Sequence, residues 1–412
     1  MLKDKQFSLS THLPIRANIQ VKKPKRVLLI EPAYKAKYPP LGLMKTSTFH
    51  KQQGDEVVFY KGTNKELRGQ KWDAIYITTM FTFQWNITIN TIKFYQWNKA
   101  NENNIKVGGI LGSLLQDDVR KETGITPHFG LWEEVDRLAP DYHLFNGVYD
   151  YYTNDASIGY MTKGCIWHCP YCAVPKLEPE YVDFIPLEKQ VDLNKKDLLL
   201  LDNNVLASSE FQRIIEEIKK YGFYKGAKFN GRFRYVDFNQ GVDAKLLTEE
   251  KMKLLSEIAI KPLRIAFDHI ELKRLYVEKI RLAHRYGIKQ LSNFILFNYN
   301  DTPEDFYERL RINIELNEEL SLSIFSFPMR FIPLNAKDRK YVNSPHWTKQ
   351  QLRGVQCILN ATHGVVGPKR PFFEKAFGKD TEEFKYIIEQ PEEAIFHREN
   401  MKPYKYPVAI TT

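Results

Sequence analysis

The chain has 412 residues, 43% of them hydrophobic and 27% charged, ordinary fractions for a soluble globular protein. That length is more than one core needs, so two domains and a tail are expected, and no apolar run reaches the length of a membrane span. The net charge of +10 allows a polyanionic partner such as RNA or DNA. The basic residues are scattered, however, and the densest runs are Lys22-Lys23-Pro24-Lys25-Arg26 and Lys337-Asp338-Arg339-Lys340. Residues 1–25 are polar, lack an apolar signal core and read as the flexible leader of a cytoplasmic protein. Few cysteines in so long a chain fit a reducing compartment.

Residues 26–137 alternate strand and helix patterns. Val27-Leu28-Leu29-Ile30 is a short apolar run of the kind a buried strand carries. A helix over 41–53 is stopped by Gly54. Val57-Val58-Phe59-Tyr60 and Ala74-Ile75-Tyr76-Ile77-Thr78 read as strands, and a helix over 88–98 leads to Lys106-Val107-Gly108-Gly109. Repeated βαβ units imply a doubly wound parallel sheet whose ligand site lies beyond the carboxyl ends of its strands. Residues 138–155, rich in Asp, Asn and Tyr, read as a linker.

From residue 156 to 332 the pattern becomes that of a partial (β/α)6 barrel. Its expected strands begin with Ile158-Gly159-Tyr160-Met161-Thr162 and Leu198-Leu199-Leu200-Leu201, the second ending in Asp202-Asn203-Asn204. Ser209 with Gln212 forms a capping-box pattern for the helix that follows, with Phe211, Ile214, Ile215 and Ile218 on one face. The third strand lies within 235–243 and carries Gln240 and Asp243. The fourth, over 263–267, ends in Asp268-His269. The fifth, Phe294-Ile295-Leu296-Phe297, ends in Asn298, and Thr302-Pro303 opens the next helix with proline at its first position. The sixth, over 322–327, ends at Arg330. Polar groups at successive strand ends suit a barrel, where catalytic side chains stand at the carboxyl face. Residues 333–412 form a C-terminal extension in which Cys357 reads as a buried small hydrophobe.

Three of the four cysteines fall within Cys165-Ile166-Trp167-His168-Cys169-Pro170-Tyr171-Cys172. Three thiolates can hold three irons of a cubane cluster and leave the fourth iron open for a substrate. A structural zinc site needs four protein ligands, and His168 is poorly placed to be the fourth because it adjoins Cys169. A disulfide would leave one thiol over.

The spacing C-x3-C-x2-C, with an aromatic residue before the last cysteine, resembles the cluster loop of the radical S-adenosylmethionine (SAM) superfamily. The resemblance spans roughly 26–330 and implies a 4Fe-4S cluster on Cys165, Cys169 and Cys172. It also implies that SAM chelates the open iron through its amino and carboxylate groups, and is cleaved to a 5′-deoxyadenosyl radical. By the same resemblance, Asp202, Asn203 and Asn204 occupy the position that receives the methionine amino group. Gln240, Asp243 and Asp268 are candidates for ribose or substrate polar groups, and Asn298 and Asp301 for the adenine. Arg330 is a candidate clamp for a carboxylate or phosphate, and His269 for a proton relay. An external electron donor of flavodoxin or ferredoxin type is implied.

Residues 26–137 look like the cobalamin-binding-type Rossmann-like domain that precedes many such cores. The likeness rests on Tyr38-Pro39-Pro40-Leu41-Gly42-Leu43 and Val107-Gly108-Gly109-Ile110-Leu111-Gly112-Ser113, whose glycines would let backbone approach a flat ligand. The D-x-H-x-x-G signature that supplies a histidine to cobalt is absent, since His50 lacks both the Asp and the Gly. With cobalamin the expected outcome is methyl transfer to an unactivated carbon; without it, hydrogen abstraction and rearrangement. The rival reading is a zinc-bearing nucleic-acid-binding protein without catalysis. The substrate stays open among a tRNA base, a peptide, a lipid and a small metabolite.

Overall fold

The structure, a computed structural model, describes residues 23–36, 38–145 and 155–397. Residues 1–22 of the expected leader and 146–154 of the expected linker lie outside the described residues. The fold is mixed α/β, built on parallel sheets. Among the described residues no helix is long and apolar enough to cross a membrane.

Four strands make the first sheet: β1 (Arg26–Glu31), β2 (Glu56–Lys61), β3 (Ala74–Thr79) and β4 (Ile105–Gly109), in the order β2-β1-β3-β4 and parallel throughout. The apolar run of β1 is explained by burial on both faces. Leu28 and Ile30 pack with Trp72, Ile75 and Ile92, while Val27 and Leu29 pack with Leu43 and Tyr76. The helix Leu41–Gln52 ends where Gly54 takes a left-handed φ of 80°. Gly109 also has a positive φ, 105°, and close backbone packing of its own. A Cβ there would stand 2.3 Å from the Thr79 carbonyl oxygen, so the glycine serves the tight crossing of β3 and β4.

The second half contains β5 (Ala156–Gly159), β6 (Asp197–Leu200) and β9 (Val236–Phe238) in one parallel sheet, and β10 (Leu263–Arg264), β11 (Gln290–Phe297) and β12 (Ser323–Arg330) in another. Parallel bridges Val236↔Ile260 and Val242↔Ile265 carry the succession from the first to the second. A small antiparallel hairpin, β7 (Lys228–Phe229) and β8 (Arg232–Phe233), precedes β9. One apolar core unites these strands with the helices Phe211–Lys220 and Lys273–Arg285.

Two local expectations give way to longer-range contacts. The strand expected over 158–162 stops at Gly159, because the backbone N–H groups of Met161 and Thr162 turn to the Asp202 carboxylate. Ser209 does not cap its helix; its hydroxyl donates to Asp183 and the helix starts at Phe211 without a side-chain cap. Thr302 does cap its helix, in a reciprocal pair with Asp305, with Pro303 at the first position.

Ion pairs and hydrogen bonds join the two halves. Lys45, 2% exposed, donates to the Asp136 backbone and carboxylate, and Lys163 pairs with the same carboxylate. The Tyr160 ring lies under both ammonium groups. Tyr142 exchanges hydrogen bonds with the Ile158 backbone, and Asn239 donates to the Tyr38 hydroxyl. In the C-terminal extension, helices Lys349–Ala361, Arg370–Phe377 and Thr381–Ile388 pack on the helix Pro303–Leu320, burying Cys357.

Arg309 is the central fastener of the second half. Fully buried, it donates to the carbonyls of Phe267, Asp268 and Leu296 and pairs with Asp301 at 2.6 Å. Removing one partner of such a pair strands a buried charge, so Arg309→Met is expected to cost about 3–5 kcal/mol in urea unfolding. Arg370→Met, which breaks an exposed pair with Glu318, is expected to cost under about 1 kcal/mol.

Candidate functional site

The cysteine segment leaves the carboxyl end of β5 through Gly164, whose φ of 71° and close approach to the Glu180 carbonyl (2.4 Å from a built Cβ) admit no side chain. All three cysteines are half-buried and free of disulfides. The loop folds back on itself, with the Cys172 N–H donating to the Cys169 carbonyl and the Trp167 N–H to the Cys165 Sγ. Burial pushes the Cys172 thiol above its usual range, and the nearby Cys169, Cys165 and Asp268 charges add to that push. His168 is exposed. Among the described residues no three His, Cys, Asp or Glu side chains gather closely enough to hold one metal ion. A cubane makes a different demand, because each thiolate binds its own iron and the sulfurs stand apart.

Four of the residues singled out in the sequence surround this loop. Asn204, buried, directs its amide nitrogen to the Cys165 Sγ at 3.6 Å, and its amide oxygen has no partner. Asn203 donates to Glu178, which also accepts the Gly164 N–H. Asp243 accepts the Trp167 indole N–H at 2.5 Å, with the Lys245 ammonium over the same ring. Asp268 accepts from the Tyr171 hydroxyl at 3.3 Å. Burial raises the Asp268 carboxyl, against the lowering influence of Arg309, and raises the Tyr171 hydroxyl, reinforced by Asp268 and Cys169.

The others have different tasks. Asp202 is turned into the core, where Oδ1 accepts from the Met161 N–H, the Thr162 N–H and the Thr162 hydroxyl, while Oδ2 is buried without a partner. Asn298 is fully buried at a left-handed φ of 65°. Its amide donates to the Phe331 and Tyr341 carbonyls and accepts the Asn343 N–H, so it anchors the chain after β12 instead of facing a ligand. Asp301 is committed to Arg309 and Trp347. Arg330 donates to the Tyr341 carbonyl, its Nε lacks a partner, and Arg339 lies near enough to lower its pKa beyond the effect of burial. Gln240 is exposed, and the His269 Nδ1 accepts the Glu271 backbone N–H.

Sequence reasoning overlooked Trp167, Glu178 and Tyr181. Trp167 lies in the motif itself, where its width gave a signal. Glu178 follows the loop with no periodicity to mark it. Tyr181 donates to the Asn204 carbonyl from outside any expected element.

A cavity of about 690 Å³ lies beside the loop, lined by Ser113, Leu114 and Phe129 from the first half, Pro170 and Lys176 from the cysteine segment, and Phe331, Pro333, Leu334 and Asn335 after β12. The chain beyond β12 returns to the first half. There Lys337 pairs with Asp118 and covers Trp85, and Arg339 covers Phe83.

No protein-family model matches the chain, and no curated protein matches its sequence. Solved structures do. The chain is similar to the radical S-adenosylmethionine methyltransferase TsrM from Kitasatospora setae with cobalamin and a 4Fe-4S cluster bound, at 14% identity and a TM-score of 0.52, over 74% of this chain and 75% of that one. It shares the fold of these enzymes. A second TsrM structure, holding tryptophan substrate and the SAM analog aza-SAM, aligns at 15% identity and a TM-score of 0.53, over 81% of this chain and 76% of the other.

Burial raises the Asp202 carboxyl from its ordinary 3.8 to about 6. Between those values the native state holds a proton that the unfolded chain has lost, so this group's contribution to stability falls as pH rises from about 4 to 6. The unfolding free energy of Asp202→Asn minus that of wild type is therefore expected to rise by about 2 kcal/mol from pH 4 to pH 7. Urea titrations at the two pH values measure it; a flat difference would mean the carboxyl titrates as in the unfolded chain.

Proposed function

We propose that the protein is a radical SAM enzyme, with Cys165, Cys169 and Cys172 as the ligands of a 4Fe-4S cluster. One observation carries the reading: three unbonded thiols share one loop at a strand's carboxyl end, on a fold held in common with radical SAM methyltransferases. In this reading β5, β6 and β9 to β12 form a partial (β/α)6 barrel over 156–332. Residues 26–137 form a doubly wound cobalamin-binding-type unit, with 138–155 as linker and 333–412 as extension.

The donor set fits a cluster with one open corner. Three thiols are available, His168 is turned to solvent, and the Asn204 amide beside Cys165 has an oxygen to spare. When bound, the reduced cluster supplies the electron that splits SAM into methionine and a 5′-deoxyadenosyl radical. The chain's own part is to hold and shield. The three thiols lose their protons on taking up iron. Trp167 through Asp243, and Tyr171 through Asp268, brace the two sides of the loop against the strand ends. Asn203, Asn204, Asp243 and Asp268 supply polar contacts for SAM, while Asp202 holds the backbone of 161–162 and Asn298 the chain after β12.

Cobalamin is proposed for the cavity between Ser113, Phe129 and Pro170, whose walls come from both halves. With it the reaction class is methyl transfer; the transferase reading rests on that occupant. An external reductant of flavodoxin or ferredoxin type and a cytoplasmic setting complete the proposal.

Anaerobic reconstitution tests it. About four irons with matching sulfide per chain are expected, and reduced protein given SAM is expected to release 5′-deoxyadenosine. Cys165→Ala, Cys169→Ala and Cys172→Ala are each expected to lose the cluster and that product. One zinc per chain, with no iron retained, would defeat the reading.

A further inference from the structure

In the basic run Lys337-Asp338-Arg339-Lys340, both lysines are neutralised and the arginine is not. Lys337 pairs with Asp118 at 2.6 Å, and Lys340 with Asp338 at 3.8 Å. Arg339 has no acidic partner among the described residues; its guanidinium lies over the Phe83 ring, 4.2 Å from the centroid. A guanidinium stacked on a ring keeps the N–H groups of its edge for a ligand.

Arg330, the last residue of β12, comes to the same place. Its Nη2 donates to the Tyr341 carbonyl at 2.7 Å, which ties the end of β12 to the chain just past Arg339. Its Nε is buried without a partner. Burial lowers the Arg330 pKa and the Arg339 charge lowers it further, and no carboxylate acts on either guanidinium to oppose this. Neighbouring cations with no counter-ion repel each other, and that juxtaposition is unfavourable until an anion joins them.

The pair stands beside the cavity and is held there from several sides. Phe331, next in the chain, forms part of the cavity wall, and its N–H donates to the Phe297 carbonyl at 2.8 Å. The rings of Tyr171, Tyr299 and Phe331 run edge to face from the cysteine motif to this point, with successive centroids 5.2 and 4.8 Å apart. A molecule anchored by an anion at the arginines would extend along this wall toward the loop. With the segment already fastened, little ordering is needed on binding.

We propose that Arg330 and Arg339 hold the anionic group of the substrate, and that this group is a phosphate monoester. The inference names a substrate class for the radical SAM reading above and rests on it. Two uncompensated guanidiniums match the nearly two charges of such a phosphate, whose oxygens can accept from both forks. A carboxylate would leave one cation unmatched.

Isothermal titration calorimetry on full-length protein, before and after anaerobic reconstitution, compares phenyl phosphate with phenylacetate, its singly charged counterpart. Wild type is expected to bind phenyl phosphate at least about 10-fold more tightly. Arg330→Gln and Arg339→Gln are each expected to weaken phenyl phosphate by about 10-fold or more. Lys337→Gln, which removes a neighbouring charge already paired with Asp118, is expected to leave it within about twofold. Arg339 is exposed, so its variant gives the answer should Arg330→Gln destabilise the fold. Cobalamin is a second source of phosphate, as a phosphodiester, so each protein is also titrated with cobalamin and with cobinamide, which lacks that group. Neither titration is expected to change in the arginine variants. A loss confined to cobalamin would assign the arginines to the cofactor and overturn the inference. No preference for phenyl phosphate, or an equal loss in Lys337→Gln, would also overturn it, with the radical SAM reading intact. Phosphate binding by protein that takes up no cluster would overturn that reading and the substrate role with it.

Discussion

The Asp202 carboxylate decides where the chain goes after β5. By taking the N–H groups of Met161 and Thr162 it ends the strand early and throws the following residues across the sheet's carboxyl edge. A buried acid facing two backbone donors and a hydroxyl satisfies groups that would otherwise be orphaned in the core. Its own second oxygen is left without a partner, and burial raises its pKa accordingly. The cysteine loop, the Glu178 turn and the Asn203–Asn204 pair all take their places from that bend.

Around this point the halves of the molecule are fastened by a few polar contacts in partly dry surroundings. One carboxylate, Asp136, serves two nearly buried lysines, and Lys163 is only two residues from Cys165. The chain after β12 crosses back to Asp118, Trp85 and Phe83, and so closes one wall of the cavity next to the loop. Buried ion pairs add little net stability, but they penalise every arrangement that separates the partners. The geometry of the cavity therefore depends on both halves at once.

Much of this was legible in the chain, for identifiable reasons. Apolar runs such as 27–30 and 198–200 are buried on both sides, so composition alone marks them as strands. Thr302-Pro303 opened its helix as expected because all its capping partners are local. Ser209 failed because Asp183, distant in sequence, outcompetes the local cap. The three-cysteine spacing pointed to the loop, but the run Asp202-Asn203-Asn204 offered no way to tell which side chain turns inward. Packing made that choice: the carboxylate went to the backbone of 161 and 162, and the amides to the loop. Asn298, a candidate for the adenine, turns elsewhere for a related reason. Its left-handed backbone aims the side chain at the chain after β12, which no local pattern records. Glu178 had no sequence mark at all, since its partners Gly164 and Asn203 are brought to it only by the fold.

The central claim is that Cys165, Cys169 and Cys172 leave one iron free for SAM. Electron–nuclear double resonance on the reduced, reconstituted protein, with SAM isotopically labelled in its amino nitrogen and carboxylate oxygens, tests it most directly. Hyperfine coupling from both labels to the cluster is the predicted result. A cluster whose fourth iron couples to a protein side chain, and to neither label, would contradict it.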